Sequence, residues 1–182
     1  MRIVAGTWRG RALLAPKGEA TRPTADRVRQ ALFDMLLHAP WGGRDRMIGA
    51  TVLDGFAGTG ALGLEALSRG AAHAHFIERD RIALAALRAN IATLRAPASV
   101  HAGDATRPPP GVACGLVFLD PPYGQGLIER ALAALAAAGW LAPNALVIAE
   151  TGRDEPLAPW GEILAERTHG AARVSILRAS GQ

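Results

Sequence analysis

Four acidic residues, Asp54, Glu78, Asp104 and Asp120, each close a short apolar run, and the last opens the tetrapeptide Asp120-Pro121-Pro122-Tyr123. Paired prolines cannot extend a strand's hydrogen-bond ladder, and each fixes its own φ. Val117 to Leu119 should therefore be a buried strand that halts in a stiff loop. A carboxylate and carbonyls without matching donors accept N–H bonds, and a phenol ring offers a face for stacking. Asp120, Pro121, Pro122 and Tyr123 thus suit a planar group with an exocyclic amine, such as a nucleobase. A turn-forming Pro-Pro beside a core Tyr would look the same in isolation, so the upstream residues must decide.

Upstream, Asp54 ends the run Thr51-Val52-Leu53 and is followed by Gly55-Phe56-Ala57-Gly58-Thr59-Gly60, with Gly63 a little further on. Glycines at a strand-to-helix turn let the backbone approach a ligand. A carboxylate at that turn repels a pyrophosphate but favours a cation, such as a cofactor bearing an amino group and a sulfonium. Glu78 lies 24 residues after Asp54, where a ribose diol would be held by an acid. Asp104 is placed to accept from an adenine amino group. Single acids at strand ends are usually just solvated; four in succession at one sheet edge are harder to explain that way.

These residues need a sheet to bring them together, and length and composition permit one. The chain has 182 residues, 49% hydrophobic and 20% charged, enough for one α/β domain with a real core. No apolar run approaches the ~20 residues of a membrane span. Met1-Arg2-Ile3-Val4 lacks the apolar segment of a signal peptide, so a cytosolic protein with no membrane association is expected. Cys114 is the single cysteine and reads as a small buried thiol. Histidines at 38, 73, 75, 101 and 169 show no metal-ligand spacing, and no metal is expected. His73 and His75 should share a strand face.

The net charge of +4 is uneven: residues 1 to 46 hold nine of the 20 Lys/Arg against four of the 16 acids. A basic surplus of this kind is either a solvated face or a surface for a polyanion. Arg2, Trp8, Arg9, Arg11 and Arg22 are the candidates to grip a phosphate backbone and stack a base. Trp8 could equally pack the segment onto the domain.

In chain order, residues 2 to 15 read as a hairpin turning at Gly6-Thr7 and Arg9-Gly10. A helix should start with Thr24 as N-cap and Asp26 in its first turn. Its apolar face would be Val28, Ala31, Leu32, Met35 and Leu36, with Arg27 and Arg29 off that stripe. Pro40 to Gly49 reads as a linker. Strands are expected at 51–54, 75–78, 99–102, 115–120 and 145–150, and helices after Gly60, after Asp80 and over 126–138. The helix after Asp80 should bury Ile82, Leu84, Leu87, Ile91 and Leu94. Glu162 to Thr168 and Ala172 to Arg178 should close the sheet as an antiparallel hairpin.

The Asp-Gly-Phe-Ala-Gly-Thr-Gly turn and the Asp-Pro-Pro-Tyr loop resemble those of S-adenosylmethionine-dependent methyltransferases that act on exocyclic amines. Arg2-Ile3-Val4-Ala5-Gly6-Thr7-Trp8-Arg9-Gly10-Arg11, Arg22-Pro23-Thr24-Ala25-Asp26-Arg27-Val28-Arg29 and the Gly60 to Gly70 segment are similar to the bacterial 16S rRNA guanine-N2 methyltransferases of the RsmD type. Gln30 departs from that pattern, which has Glu after Arg29.

The resemblance implies a Rossmann-like seven-stranded, mostly parallel sheet with an antiparallel C-terminal hairpin. A basic N-terminal extension over 1–46 would precede a methyltransferase domain over 47–182. It also implies S-adenosyl-L-methionine held by Asp54, Phe56, Ala57, Gly58 and Gly60 at the methionine, Glu78 at the ribose, and Asp104 with Ala105 at the adenine. Thr24 and Arg27 would close over it. The expected partner is 16S rRNA within a small-subunit assembly particle, modified by a monomer at guanine 966. An adenine-N6 methyltransferase on DNA or RNA would share the catalytic loop and is the alternative.

Overall fold

The computed structural model describes residues 1–15, 23–157 and 160–179, the side chains of 23–25 excepted. Five parallel strands come first: β1 (Thr51–Asp54), β2 (His73–Glu78), β3 (Ala98–Ala102), β4 (Cys114–Leu119) and β5 (Leu141–Gly152). An antiparallel pair, β6 (Gly161–His169) and β7 (Ala172–Ala179), completes a sheet of order β3-β2-β1-β4-β5-β7-β6. The last strand inserts between β5 and β6, as expected from the terminal hairpin. The order reverses between β1 and β4, the place where open α/β sheets bind ligands.

The helices are α1 (Pro23–His38), α2 (Arg44–Met47), α3 (Ala61–Ser68), α4 (Arg81–Leu94) and α5 (Leu127–Ala137). Asp80 caps α4, its carboxylate accepting from the N–H groups of Ile82 and Ala83 at 2.9 and 2.8 Å. One core layer joins Val52, Phe76 and Phe118 to Leu64, Leu87 and Phe33. The other packs Val117, Leu119 and Val147 against Leu132, Leu135 and Trp140.

Several boundaries and faces depart from the sequence reading. The first helix begins at Pro23, which places Thr24 in its first turn and not at its cap. Its buried face is Arg29, Leu32, Phe33 and Leu36, while Ala31 is exposed. The apolar stripe is thus rotated toward Phe33, because buried ion pairs make Arg29 an inward residue. The expected linker contains α2. The fifth strand starts at Leu141, four residues early, because its beginning is irregular: Asn144 has φ 58° and the register shifts between Cys114 and Leu116. Ile82 is 67% exposed; it belongs to the wall described below, not to the core.

The N-terminal segment is joined to α3 by a polar seam. Arg2 bridges Ala12 across a short hairpin, and Ile3 and Leu13 enter the first core layer. Glu65, fully buried, accepts from the Val4 and Ala5 N–H groups at 2.7 and 3.0 Å and from Arg69 Nε at 2.8 Å, with Arg29 Nε at 3.8 Å. Ser68 Oγ donates to the Ala5 carbonyl and accepts from Trp8 N–H. Gly6 sits so close that a Cβ there would lie 1.8 Å from the Ser68 carbonyl oxygen. Gln30 extends the seam, donating to Asp34 and accepting from Arg69.

Candidate active site

At the carboxyl ends of β1, β2 and β4 the chain leaves the sheet in three turns that together enclose a cleft of about 670 Å³. The first turn contributes Gly55, Phe56 and Gly58, the second Glu78, Arg79 and Asp80, and the fourth strand's loop Asp120, Pro121, Pro122 and Tyr123. Gly103, Asp104 and Ala105 border it beyond β3, and Ile82, Ala83 and Leu127 add apolar wall from α4 and α5.

The turn after β1 works because its backbone is bare. Gly58 has φ 53°, and a Cβ on it would meet nothing within 4 Å, so the peptide faces open space. Its N–H donates to Glu78 Oε2 at 2.7 Å. Oε1 of Glu78 accepts from the Arg79 and Asp80 N–H groups at 2.7 and 2.6 Å. This carboxylate therefore ties the glycine turn to the second turn, and Oε2 keeps a lone pair toward the cleft. Beneath them Asp54, 1% exposed, accepts from Gly63 N–H at 3.0 Å. Burial pushes its carboxyl up to about 7, against the Gly63 bond and assisted by the charge of Glu78.

Asp120 is open to solvent on the cleft side but crowded by protein around its carboxylate. Loss of water there raises its carboxyl well above the ordinary range, and the negative charges of Glu150 and Asp54 raise it further. The Tyr123 hydroxyl donates to Glu150 Oε1. Burial, then that bond and that charge, push the phenol up as well. Glu155 accepts from Gly124 N–H at 2.9 Å and Gly152 N–H at 3.2 Å, which bolts the loop tip to the end of β5. These backbone bonds, Gly124's first, hold its carboxyl below the ordinary value. Asp104 accepts from the N–H and hydroxyl of Thr106, both at 2.9 Å, with Arg79 at 3.4 Å. The Thr106 backbone bond leads in lowering its carboxyl.

Of the residues singled out from sequence, Phe56, Gly58, Glu78, Asp104, Ala105, Asp120, Pro121, Pro122 and Tyr123 border this one cleft. Asp54 lies under its floor. Ala57 is buried behind the turn, its N–H donating to the Ile77 carbonyl at 3.1 Å. Gly60 caps α3 with φ 85°. Arg27 is exposed and is not part of the lining, and the Thr24 side chain and Arg22 lie outside the described residues. Arg2, Arg9 and Arg11 are exposed, Arg2 pairing with Asp26 at 3.3 Å. Trp8 is half-buried against the core.

Sequence reasoning missed Glu150, a fifth acid near the carboxyl end of a parallel strand, two residues before β5 stops. The signal was the apolar run Ala145 to Ala149 ending in a carboxylate, the same pattern read at the other four. Ile82 was missed because helical periodicity cannot distinguish a core position from the wall of a cleft at a helix start.

Fold and cleft together define a Rossmann-like methyltransferase. A family model described as "Conserved hypothetical protein 95" matches residues 1–178. The "Ribosomal RNA small subunit methyltransferase D" of Haemophilus influenzae is 39% identical over 180 residues, covering 93% of this chain and 89% of that protein. The Escherichia coli K12 protein of the same name is 46% identical over 154 residues, covering 83% and 74%. The chain belongs to this family, the RsmD family. The solved structure of yhhF from Escherichia coli superposes with a TM-score of 0.85 at 38% identity, over 100% of this chain and 99% of that one. That of HI0767 from Haemophilus influenzae gives 0.79 at 34%, over 99% and 98%.

Proposed function

We propose that the protein transfers a methyl group from S-adenosyl-L-methionine to the exocyclic N2 of a guanine in 16S rRNA, guanine 966 on the family resemblance. The observation that carries this reading is that the Asp120 loop and the glycine turn after β1 border one cleft. The curated relatives named for small-subunit rRNA supply the substrate class.

The cleft fits a cationic cofactor. Asp54 and Asp120 are raised by burial and by neighbouring acids, and among the described residues neither forms an ion pair. A positive charge brought between them would relieve that repulsion. Asp54 and the turn residues Phe56, Ala57, Gly58 and Gly60 would hold the methionine portion. Glu78 would take a ribose hydroxyl on Oε2, and Asp104 and Ala105 with Ile82 would frame the adenine. Thr24 and Arg27 would close over the top. When bound, the cofactor supplies an electrophilic methyl on a sulfonium.

Guanine N2 is a weak nucleophile because its lone pair is delocalised into the ring. The Asp120 carboxylate and the Pro121 carbonyl would accept its two N–H bonds, aim the nitrogen at the methyl and let the pair localise. Pro122 stiffens the loop. Tyr123, its hydroxyl anchored on Glu150, would present its ring to a base drawn out of its stack. Transfer would release the sulfur as a neutral thioether and leave an acidic proton on N2, and Asp120, ionised once a positive charge lies beside it, would receive that proton and pass it to water.

Residues 1–46 would face the RNA through Arg2, Trp8, Arg9, Arg11 and Arg22, with 47–182 as the transfer domain. This is a division of roles, since Ile3 and Phe33 share the core of the later residues. We take the protein to act as a cytosolic monomer on an assembling small-subunit particle. The test is incubation with methyl-labelled cofactor and, separately, small-subunit particles, naked 16S rRNA and DNA, with the modified nucleoside identified by mass spectrometry. N2-methylguanosine from the particle is expected. N6-methyladenine from DNA would replace this reading with the adenine one.

A further inference from the structure

Outside the cleft, a row of cations lies along α4. Arg81, Arg88 and Arg95 are exposed, and among the described residues none forms an ion pair or a side-chain hydrogen bond. Seven residues fall only about 20° short of two helical turns, so Arg81 and Arg88 share one face, and Arg95 follows at the cap. The helix Arg81–Leu94 contains no acid to neutralise them. Two of the three stand where helix physics gives them little reason to be. Arg81 occupies the first turn, where the dipole disfavours a cation. Arg95 occupies the left-handed C-cap at φ 51°, a conformation usually given to Gly or Asn.

Two concavities lie along this face. One holds Arg79, Arg81 and Arg88 beside Gly103, and shares Arg79 and Gly103 with the wall of the candidate active site. The other holds Arg95 with Trp8 and Arg11 of the N-terminal hairpin. The arginines therefore run from the rim of the cleft to the hairpin. Each step along α4 covers about 10.5 Å at 1.5 Å per residue, or about three steps of a stacked strand at 3.4 Å each.

We propose that Arg81, Arg88 and Arg95 form a phosphate track that carries the backbone of the substrate RNA between the hairpin and the active-site rim. Trp8 gives this track an aromatic end, where a base can stack. The proposal rests on the rRNA reading above and adds a surface that the charge distribution along the sequence hides: residues 47–182 hold 11 of the 20 Lys/Arg and 12 of the 16 acids. The helical spacing gathers three of those arginines on one face, and the fold sets that face between the cleft rim and the hairpin.

The test is the salt dependence of binding to a 16S rRNA fragment and to small-subunit particles between about 50 and 200 mM salt, where each lost phosphate contact lowers the log–log slope by about 0.7 to 0.9. The triple variant R81Q/R88Q/R95Q should lose about 2 to 3 from the slope and bind about 100-fold more weakly near 0.1 M salt. Its affinity for S-adenosyl-L-methionine, measured by calorimetry, should stay unchanged. Lysine at the same three positions should restore most of the slope, since the charge is kept.

The charge-matched variant R153Q/R167Q/R178Q, altered at the β5-β7-β6 side of the sheet away from α4, should bind close to wild type. Wild-type slope and affinity in R81Q/R88Q/R95Q would overturn the track, as would equal weakening in the two triple variants. If the wild type binds cofactor but neither RNA nor particle, the rRNA reading itself fails and the track falls with it.

Discussion

Glu65 and Asp54 are 0% and 1% exposed, yet their surroundings are opposite. Glu65 receives two backbone N–H groups and lies against Arg69 and Arg29. Asp54 receives one N–H from Gly63 and faces the charges of Glu78 and Asp120. A buried charge is tolerable when paired and costly when alone. The seam around Glu65 is complete in itself, which marks it as structural. The cleft above Asp54 gathers acids without a cation between Asp54 and Asp120, which suits the cationic cofactor proposed above. The arginines divide the same way: Arg29 and Arg69 are consumed in the seam, whereas Arg81, Arg88 and Arg95 are left over.

The sharpest way to break this comparison is to remove the acid assigned to chemistry. Asp120→Ala should lower methyl transfer by about 10³-fold, in the range expected when proton acceptance and amine orientation are lost together. Cofactor affinity by calorimetry should change little. An Ala variant of near-normal rate would remove Asp120 from the mechanism.

Glu65 should behave in reverse. Glu65→Ala takes from Arg29 and Arg69 their fully buried acid, leaving each only a more exposed partner, Asp26 or Asp34, and should cost about 3–5 kcal/mol of stability, read as a fall of roughly 6 to 20 °C in Tm. Where the variant remains folded, its methyl-transfer rate should be close to wild type.

How much of this the amino-acid sequence disclosed depended on the range of the interaction. The parallel strands were legible because apolar runs ended in an acid or a glycine turn, and each such signal is local. The cleft followed, since strands in one parallel sheet deliver their ends to one edge. The seam was not legible as a contact. Glu65 and Val4 are 61 residues apart, and nothing in either segment announces the other. Helical periodicity therefore put Arg29 off the buried stripe, although the buried Glu65 and the half-buried Asp26 draw it inward. Arg81, Arg88 and Arg95 were passed over for the opposite reason: charge was summed over 47–182, where 12 acids offset 11 Lys/Arg, and the acid-free stretch from Arg81 to Arg95 vanishes in that sum.

The strain on Asp54 can be read without turnover. Its carboxyl is raised from 3.8 to about 7, so across that interval the folded protein holds a proton that the unfolded chain releases. Stability from this group is complete below about pH 4 and is lost as pH rises through about 7. The loss amounts to roughly 4 kcal/mol at 1.36 kcal/mol per pH unit. Asp54→Asn should flatten this part of the curve in thermal melts taken from about pH 4 to about pH 7. Saturating S-adenosyl-L-methionine should also flatten it in the wild type, because a nearby cation favours the ionised carboxylate. A wild-type curve that rises over this interval and is unchanged by the Asn substitution would remove Asp54 as the strained acid.

The finest test separates what Glu150 does for Tyr123 from what it does to Asp120. Glu150→Gln keeps an oxygen able to accept the Tyr123 hydroxyl but removes the negative charge that helps to raise Asp120. The ring should therefore stay in place, and the maximal rate should fall by less than about tenfold, the worth of one neutral hydrogen bond. Removing a like charge lowers a carboxyl's pKa. The acidic limb of the rate profile, set by the need for an ionised Asp120, should thus move to lower pH. Glu150→Ala, which takes away both acceptor and charge, should move the limb in the same direction and also raise KM for RNA by freeing the ring. A Gln variant with an unmoved limb and a raised KM would make Glu150 only the anchor of Tyr123. The raised Asp120 would then owe its state to lost water and to Asp54 beneath it.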